Sequence, residues 1–297
     1  CLLNSLWVGW LLIQMATVNY ALACAYEEMN PSRRNTMEDV HRIVPNLGGD
    51  SCFSYFGVYD GHGGRQVADF LEETLENIIY QELKVEDDAS IPERLARAFL
   101  ITDMESMNNG LTTSGATCVS ALLHNDNGRR TLHIANVGDS RAVLCCPLED
   151  STSLSEGTCR FSARRLSHDH TAEDPAEQAR IQEAGGFVNR GRVLGILAVA
   201  RSFGDHGMKD FVSAQPHLCE VALGEAGARS QHPFLILACD GVWDVMTDQE
   251  AVELVLEHCG TGEGKSLTPS QGAAELLVEE AIERGTGDNV TAIVIFF

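Results

Sequence analysis

The sequence predicts an α+β fold in which layered sheets are covered by helices. Three observations carry this: short runs rich in Val, Ile, Phe and Tyr, amphipathic stretches at helical spacing, and an order in which strands come in groups with helices between the groups. A doubly wound fold would alternate the two one by one. No repeat, low-complexity tract or long linker divides the 297 residues, so one large domain is expected.

Taken in order, residues 1–25 hold no Lys or Arg, and Leu11, Leu12 and Ile13 are interrupted by Asn4, Ser5, Gln14, Thr17 and Asn19. A secretory signal needs a basic start, and a spanning helix needs about 20 mostly apolar residues. Residues 1–19 are therefore read as an element packed on the domain, with targeting or a membrane segment as the alternative. Strands are expected at 20–26, 54–59, 117–123, 131–137, 141–145, 234–239 and 290–297. In 66–83 the residues Val67, Phe70, Leu71, Leu75, Ile78 and Ile79 follow helical spacing. Similar stripes run through 92–107, 176–184, 248–259 and 271–284, the last following Pro269 as a start signal. Loops fall at 148–157, 224–232 and 259–270.

Forty-three acids against 21 bases give a net charge of −22. That excludes a nucleic-acid surface, which is built from Lys and Arg clusters. Most of the excess reads as a solvated surface. Ten scattered cysteines without C-x-x-C read as reduced thiols, several of them buried, in a reducing cytoplasmic or nuclear compartment.

Some short motifs carry nothing. GEGKS at 262–266 has Cys259 where a phosphate-binding loop needs its first glycine, and CRFSARR at 159–165 lacks the glycines that wrap a phosphate. Asn289-Val290-Thr291 fits a glycosylation acceptor but runs straight into an apolar strand.

The acids that matter sit where strands meet turns: Glu38 and Asp39 in MED, Asp60 in VYDGHGG, Asp139 in ANVGDSR, Asp240 and Asp244 in LACDGVWD, and Asp288 in GTGDNV. Each alone is an ordinary turn acid. Together they could converge on one sheet edge, and converging acids repel unless hard cations lie between them. Oxygen-only ligation suits Mg²⁺ or Mn²⁺, and a glycine lets a backbone carbonyl approach the ion. Such a metal pair acidifies a bridging water and stabilises in-line displacement at phosphorus. Arg34 would supply a fork for phosphoryl oxygens, and His62 a proton for the leaving oxygen.

At this point RRNTMEDVH, FGVYDGHGG, TTSGATCVSALL, LHIANVGDSRAVL, LSHDHTAEDPAEQARIQEAGGFV, RVLGILAVARSFGD, LILACDGVWDVM and GTGDNVTAIVI, in that order, resemble the metal-dependent protein serine/threonine phosphatases of type 2C. The resemblance spans residues 20–297 and implies a four-layer α-β-β-α sandwich of two packed antiparallel sheets. By it, Asp60 bridges two Mn²⁺ or Mg²⁺ ions, Gly61 offers a carbonyl, and Asp240 and Asp288 hold the second ion. Glu38 and Asp39 hold metal-bound waters, and Asp139 with Asp240, near Asp244, makes a weaker third site. Arg34 matches the phosphate-binding arginine, His62 the general acid, and Asn289 beside Asp288 joins the site. Residues 161–215 match a flap beside the cleft. Ala200, Phe203 and Val40 depart from the usual pattern without touching a ligand position. The implied partners are phosphorylated proteins, acted on by a monomer with no nucleic acid and no membrane. A pseudophosphatase serving as a binding module would require loss of a metal acid, and every one is present.

Overall fold

The computed structural model describes residues 19–148, 161–225, 232–260 and 267–297, so the expectations for residues 1–18, GEGKS and Cys159 lie outside the described residues. One sheet comprises β1 (Leu22–Glu28), β6 (Arg141–Pro147), β7 (Phe161–Arg165), β12 (Phe234–Ala238) and β13 (Val290–Phe296), in the order β1-β13-β12-β6-β7. The other comprises β2 (Asp39–Val44), β3 (Phe53–His62), β4 (Gly115–Asp126), β5 (Arg129–Val137) and β11 (His217–Glu225), in the order β11-β5-β4-β3-β2, with β10 (Phe203–Gly204) paired to the start of β4. Every one of these pairings is antiparallel.

Helices cover the outer faces. α1 (Gln66–Leu83) and α2 (Ile91–Asn108) pack on the second sheet through Val67, Leu71, Leu75, Leu95 and Phe99. The short α4 (Asp240–Trp243), α5 (Asp248–His258) and α6 (Ala273–Glu283) pack on the first through Val242, Val252, Val255, Leu277 and Val278. Capping boxes start α2 at Ser90 with Glu93 and α5 at Thr247 with Glu250, satisfying first-turn N–H groups. The four layers are those the resemblance implied. Among the described residues no helix is long and apolar enough to cross a membrane.

The period-two alternation of the strands decides where the site forms. In β3, Tyr55 and Tyr59 face the helices, whereas Phe56 and Val58 face the opposite sheet. Asp60 continues the second series. Val119 and Ala121 of β4, Ile43 of β2, Leu235 and Leu237 of β12, and Ile293 and Ile295 of β13 fill the same inter-sheet core. By that parity Thr117, Asp39, Cys239 and Thr291 extend these apolar rows at one end of the sandwich. The core thus turns polar at a single edge.

The sequence reading missed β2, β7 and β11, as well as the two-residue strands between residues 188 and 204. The 161–215 segment also divides differently: β7 is an edge strand of the first sheet, paired with β6. The rest of the segment contains α3 (Pro175–Glu183) and the hairpin of β8 (Val188–Asn189) and β9 (Arg192–Val193). It has a small core of its own in Ala172, Ile181, Val193, Ala200 and Val212. All three departures from the family pattern are core positions: Ala200 lies in this small core, and Val40 and Phe203 lie beneath α1 and α2. The described cysteines form no disulfide; Cys24, Cys118, Cys145, Cys239 and Cys259 are buried, while Cys52 is exposed.

Candidate metal centre

Asp39 and Asp60 stand directly opposite each other in the β2–β3 ladder, and Thr117 of β4 faces Asp60 from the other side. β3 does not stop at Asp60, as the sequence reading had it. It runs on through Gly61 to His62, paired with Ala116 and Gly115, because β4 supplies ladder partners beyond the point where the β2 pairing ends at Asp39. From the other sheet, β12 ends at Ala238, Cys239 follows, and Asp240 opens α4, with Asp244 one turn later. Asp288 and Asn289 lead into β13. Two sheets therefore contribute acids to one edge.

The electrostatics reflect this convergence. Asp60 and Asp240 keep some solvent contact but are otherwise enclosed. Burial pushes both carboxyls well above the usual range, and neighbouring carboxylates add to it, Asp240 first for Asp60 and Asp139 first for Asp240. Burial likewise raises Asp39 to about 6, with Thr291 and Cys239 moderating the rise. Asp139 is pushed up to about 6 by burial, Asp169 and Asp244. Asp244 is raised by burial and then by Asp288, against Arg141.

These acids fit a hard cation. Asp39 Oδ2 and Asp240 Oδ1 are buried without a hydrogen-bond partner, a costly state that a divalent ion relieves. Ligand atoms of Asp39, Asp60 and Cys239 lie within 4.8 Å of one another. The thiol is the odd member. Burial, then Asp39 and Asp60, holds Cys239 well above its ordinary value, so it stays protonated. Its sulfur accepts from Thr291 N (3.2 Å) and donates to Asn289 O (3.6 Å). The donors fit Mg²⁺ or Mn²⁺ through oxygen, with Cys239 as a wall.

Glycine has a second reason to follow each central aspartate. A Cβ on Gly61 would sit 2.5 Å from Glu38 O, and one on Gly241 2.0 Å from Asn289 O. Both glycines let the chain bearing the other acids come close. Asn289 ties these parts together: its Oδ1 accepts from Glu38 N (2.8 Å), and its Nδ2 donates to Met29 O (2.8 Å) and Thr36 O (2.9 Å). It is buried, so its amide is a clamp and no acceptor for a sugar. Glu38 Oε2 in turn accepts from Gly64 N at 3.3 Å. Gly241→Ala is expected to push Asn289 aside and to cost roughly 1–3 kcal/mol, read as a lower urea midpoint at unchanged slope.

Around the acids, Arg34 is half exposed, pairs with Asp288 through Nη2 and donates from Nε to Gly287 O at 3.2 Å. The guanidinium thus already sits on one of the acids rather than standing free. His62 lies against Asp205, its Nε2 2.7 Å from Oδ2, and not against Asp60. Burial opposes ionisation of Asp205, but His62 and Ser202 outweigh it and hold the carboxyl below its ordinary value. Asp205 stood in the VARSFGD motif without a role, since no local signal marks a partner 143 residues away. Thr117 Oγ1 and Ser140 Oγ, 2.7 Å apart, stitch the Asp139 turn to β4 and were equally unmarked. Asp39, Asp60, Asp139, Asp240, Asp244 and Asp288 act on one another electrostatically at this edge, while Glu38 is tied to it through Asn289.

Comparison with known proteins agrees with this architecture. A family model described as Protein phosphatase 2C matches residues 25–290. Protein phosphatase 2C homolog 1 of Saccharomyces cerevisiae is 36% identical over 292 residues, covering 94% of this chain and 94% of that protein. The protein of the same name in Schizosaccharomyces pombe is 32% identical over 277 residues, covering 92% and 72%. Among solved structures, a C. elegans sex determining protein aligns with a TM-score of 0.75 at 25% identity, covering 93% of this chain and 64% of that one. Serine-threonine phosphatase 2C from Toxoplasma gondii shares the fold, with a TM-score of 0.72 at 23% identity, covering 93% and 94%. A family model spanning most of the chain, and relatives above 30% identity along most of their length, show that the chain belongs to the protein phosphatase 2C family.

Proposed function

We propose that the chain hydrolyses phosphoserine and phosphothreonine esters of proteins at this edge, with two Mn²⁺ or Mg²⁺ ions as cofactors. The observation that carries the reading is the meeting of Asp39 and Asp60 from one sheet with Asp240 and Asp288 from the other, with buried carboxylate oxygens lacking partners. Asp60, the Gly61 carbonyl, Asp240 and Asp288 would hold the ions, Glu38 and Asp39 would accept hydrogens of water, and Asp139 with Asp240 and Asp244 would form a weaker third place. When bound, the ions acidify an attacking water and neutralise phosphoryl charge, which a protein of net charge −22 otherwise repels. Arg34 has the fork to orient phosphoryl oxygens by turning from Asp288, and His62 would donate a proton to the leaving oxygen. No covalent phosphoenzyme is required.

The test is hydrolysis of a phosphothreonine peptide by the purified chain with Mn²⁺ and with chelator, beside Asp240→Asn. Activity is expected only with metal, and the variant is expected to lose it by on the order of 10²–10³-fold. Turnover that ignores the chelator, or a variant as fast as its parent, would sink the reading.

A further inference from the structure

Three separate segments are shaped around one contact, that between His62 and Asp205. Asp205 comes to the end of β3 from the turn after β10, with its backbone in the left-handed region at φ 49°. There its N–H donates to Ser114 O at 3.0 Å, and Ser202 Oγ donates to its Oδ2 at 2.5 Å. Lys209, partly buried in the same turn, bonds Ser202 O (2.9 Å) and Asp103 of α2 (2.8 Å), which anchors the turn to the helix layer. The start of β4 makes room for the pair. A Cβ on Gly115 would lie 2.1 Å from Asp205 Oδ2 and 2.4 Å from His62 Nε2. Asp205 is largely covered, at 13% side-chain exposure, while the His62 ring keeps 29% and opens to solvent.

We propose that Asp205 is the positioning residue for His62. Its carboxylate takes the Nε2–H, which fixes the ring plane and tautomer and leaves Nδ1 as the nitrogen that serves the leaving oxygen. This rests on the phosphatase reading above. In the step, the oxygen of water bonds to phosphorus and the ester P–O bond breaks with its electron pair on the serine or threonine oxygen. That oxygen takes the Nδ1 proton, so the alcohol leaves neutral. Water's displaced proton passes to solvent, from which Nδ1 is recharged, and Nε2–H stays on Asp205 throughout.

The experiment compares two substrates on the metal-loaded chain: a phosphothreonine peptide, whose alkoxide needs a proton, and p-nitrophenyl phosphate, whose phenolate leaves without one. Asp205→Asn is expected to lower kcat on the peptide by about 10–100-fold with KM within about twofold, and on the aryl ester by less than about threefold. In a His62→Ala background the same change is expected to cost nothing further. Equal losses on both substrates, or an equal loss in both backgrounds, overturn the proposal. Should Asp205→Asn not fold, Ser202→Ala is expected to show the same substrate pattern at smaller size, and a uniform loss there counts against it.

A second readout needs no turnover. In nitrogen-resolved NMR of the metal-free parent, the neutral His62 ring is expected as the Nε2–H tautomer, and an Nδ1–H tautomer overturns the assignment. A parent that hydrolyses neither substrate refutes the phosphatase reading instead, and the tautomer still judges the role of Asp205.

Discussion

Asp60→Asn is expected to abolish most turnover while making the metal-free protein more stable. Metal sites of this kind supply several kcal/mol of transition-state stabilisation, and about 1.4 kcal/mol is tenfold in rate, so the loss in kcat/KM is expected to be on the order of 10³-fold or more. The gain in stability has the same origin. Without cations, a charge on Asp60 is buried and faces Asp240, Asp39, Asp139 and Asp288. Asn keeps the shape and removes the charge. Each kcal/mol of repulsion relieved raises Tm by roughly 2–4 °C in a domain this large. Thermal melts in chelator, beside peptide hydrolysis in Mn²⁺, read both effects. A variant that is less stable without metal contradicts a cluster held together against its own charge.

The second large effect is a pH dependence that a divalent ion reverses. Asp39 and Asp139 have folded values of about 6, and Asp60 and Asp240 are raised as well. Between the unfolded value near 4 and the folded one, the folded chain holds more protons than the unfolded chain. Stability therefore falls as pH rises through this window and is lowest once the folded groups ionise. Ion-paired acids behave oppositely. Asp50 and Asp87 are held low by Lys84 and Arg97, and Glu250 sits at about 2 through Thr247 and Arg284, so their support is lost only as pH falls through their depressed values. In chelator, Tm is expected to decline from pH 5 to 7.5. Mn²⁺ at a hundredfold excess over Kd adds about 2.7 kcal/mol, and its binding strengthens as the acids lose protons. The Tm rise on adding Mn²⁺ is thus expected to be larger at pH 7.5 than at pH 5. Equal rises at both values would show that the bound ion does not displace protons from these carboxyls.

What the sequence made legible follows from how local each signal is. α1 lies at 66–83 as its stripe predicts, because Val67, Leu71, Leu75, Ile78 and Ile79 are all buried against one sheet. The apolar runs of β12 and β13 stand out because both of their faces are covered. β11 is an edge strand whose buried residues are Val221 and Leu223, and its Glu and Gly residues blur the alternation. β7 is likewise an edge strand, ending in two arginines. β2 carries His41 and Arg42, the latter bonded to Glu76 of α1, so its charges look like loop chemistry when read alone. In the site, Glu38 and Asp39 stand at the start of the unmarked β2 and are legible only as the MED motif. Asp60, Asp139 and Asp240 are legible because each ends or follows a strand marked in the sequence, and Asp288 because it leads into one. Asp205 and Cys239 are not, because their roles come from partners brought by the fold: His62 for one, Asp39 and Asp60 for the other.

The division of the acids between two sheets has a consequence for the order of assembly. Asp39 and Asp60 can meet across β2 and β3 once that local ladder forms, but Asp240 and Asp288 arrive only when the sandwich has closed over Phe56, Val58, Leu237 and Ile293. Those contacts join distant parts of the chain and are slow to form. A cation then finds its full set of ligands only on the far side of the folding barrier. It would act as a late latch, leaving the folding rate nearly unchanged and slowing the opening of the two sheets.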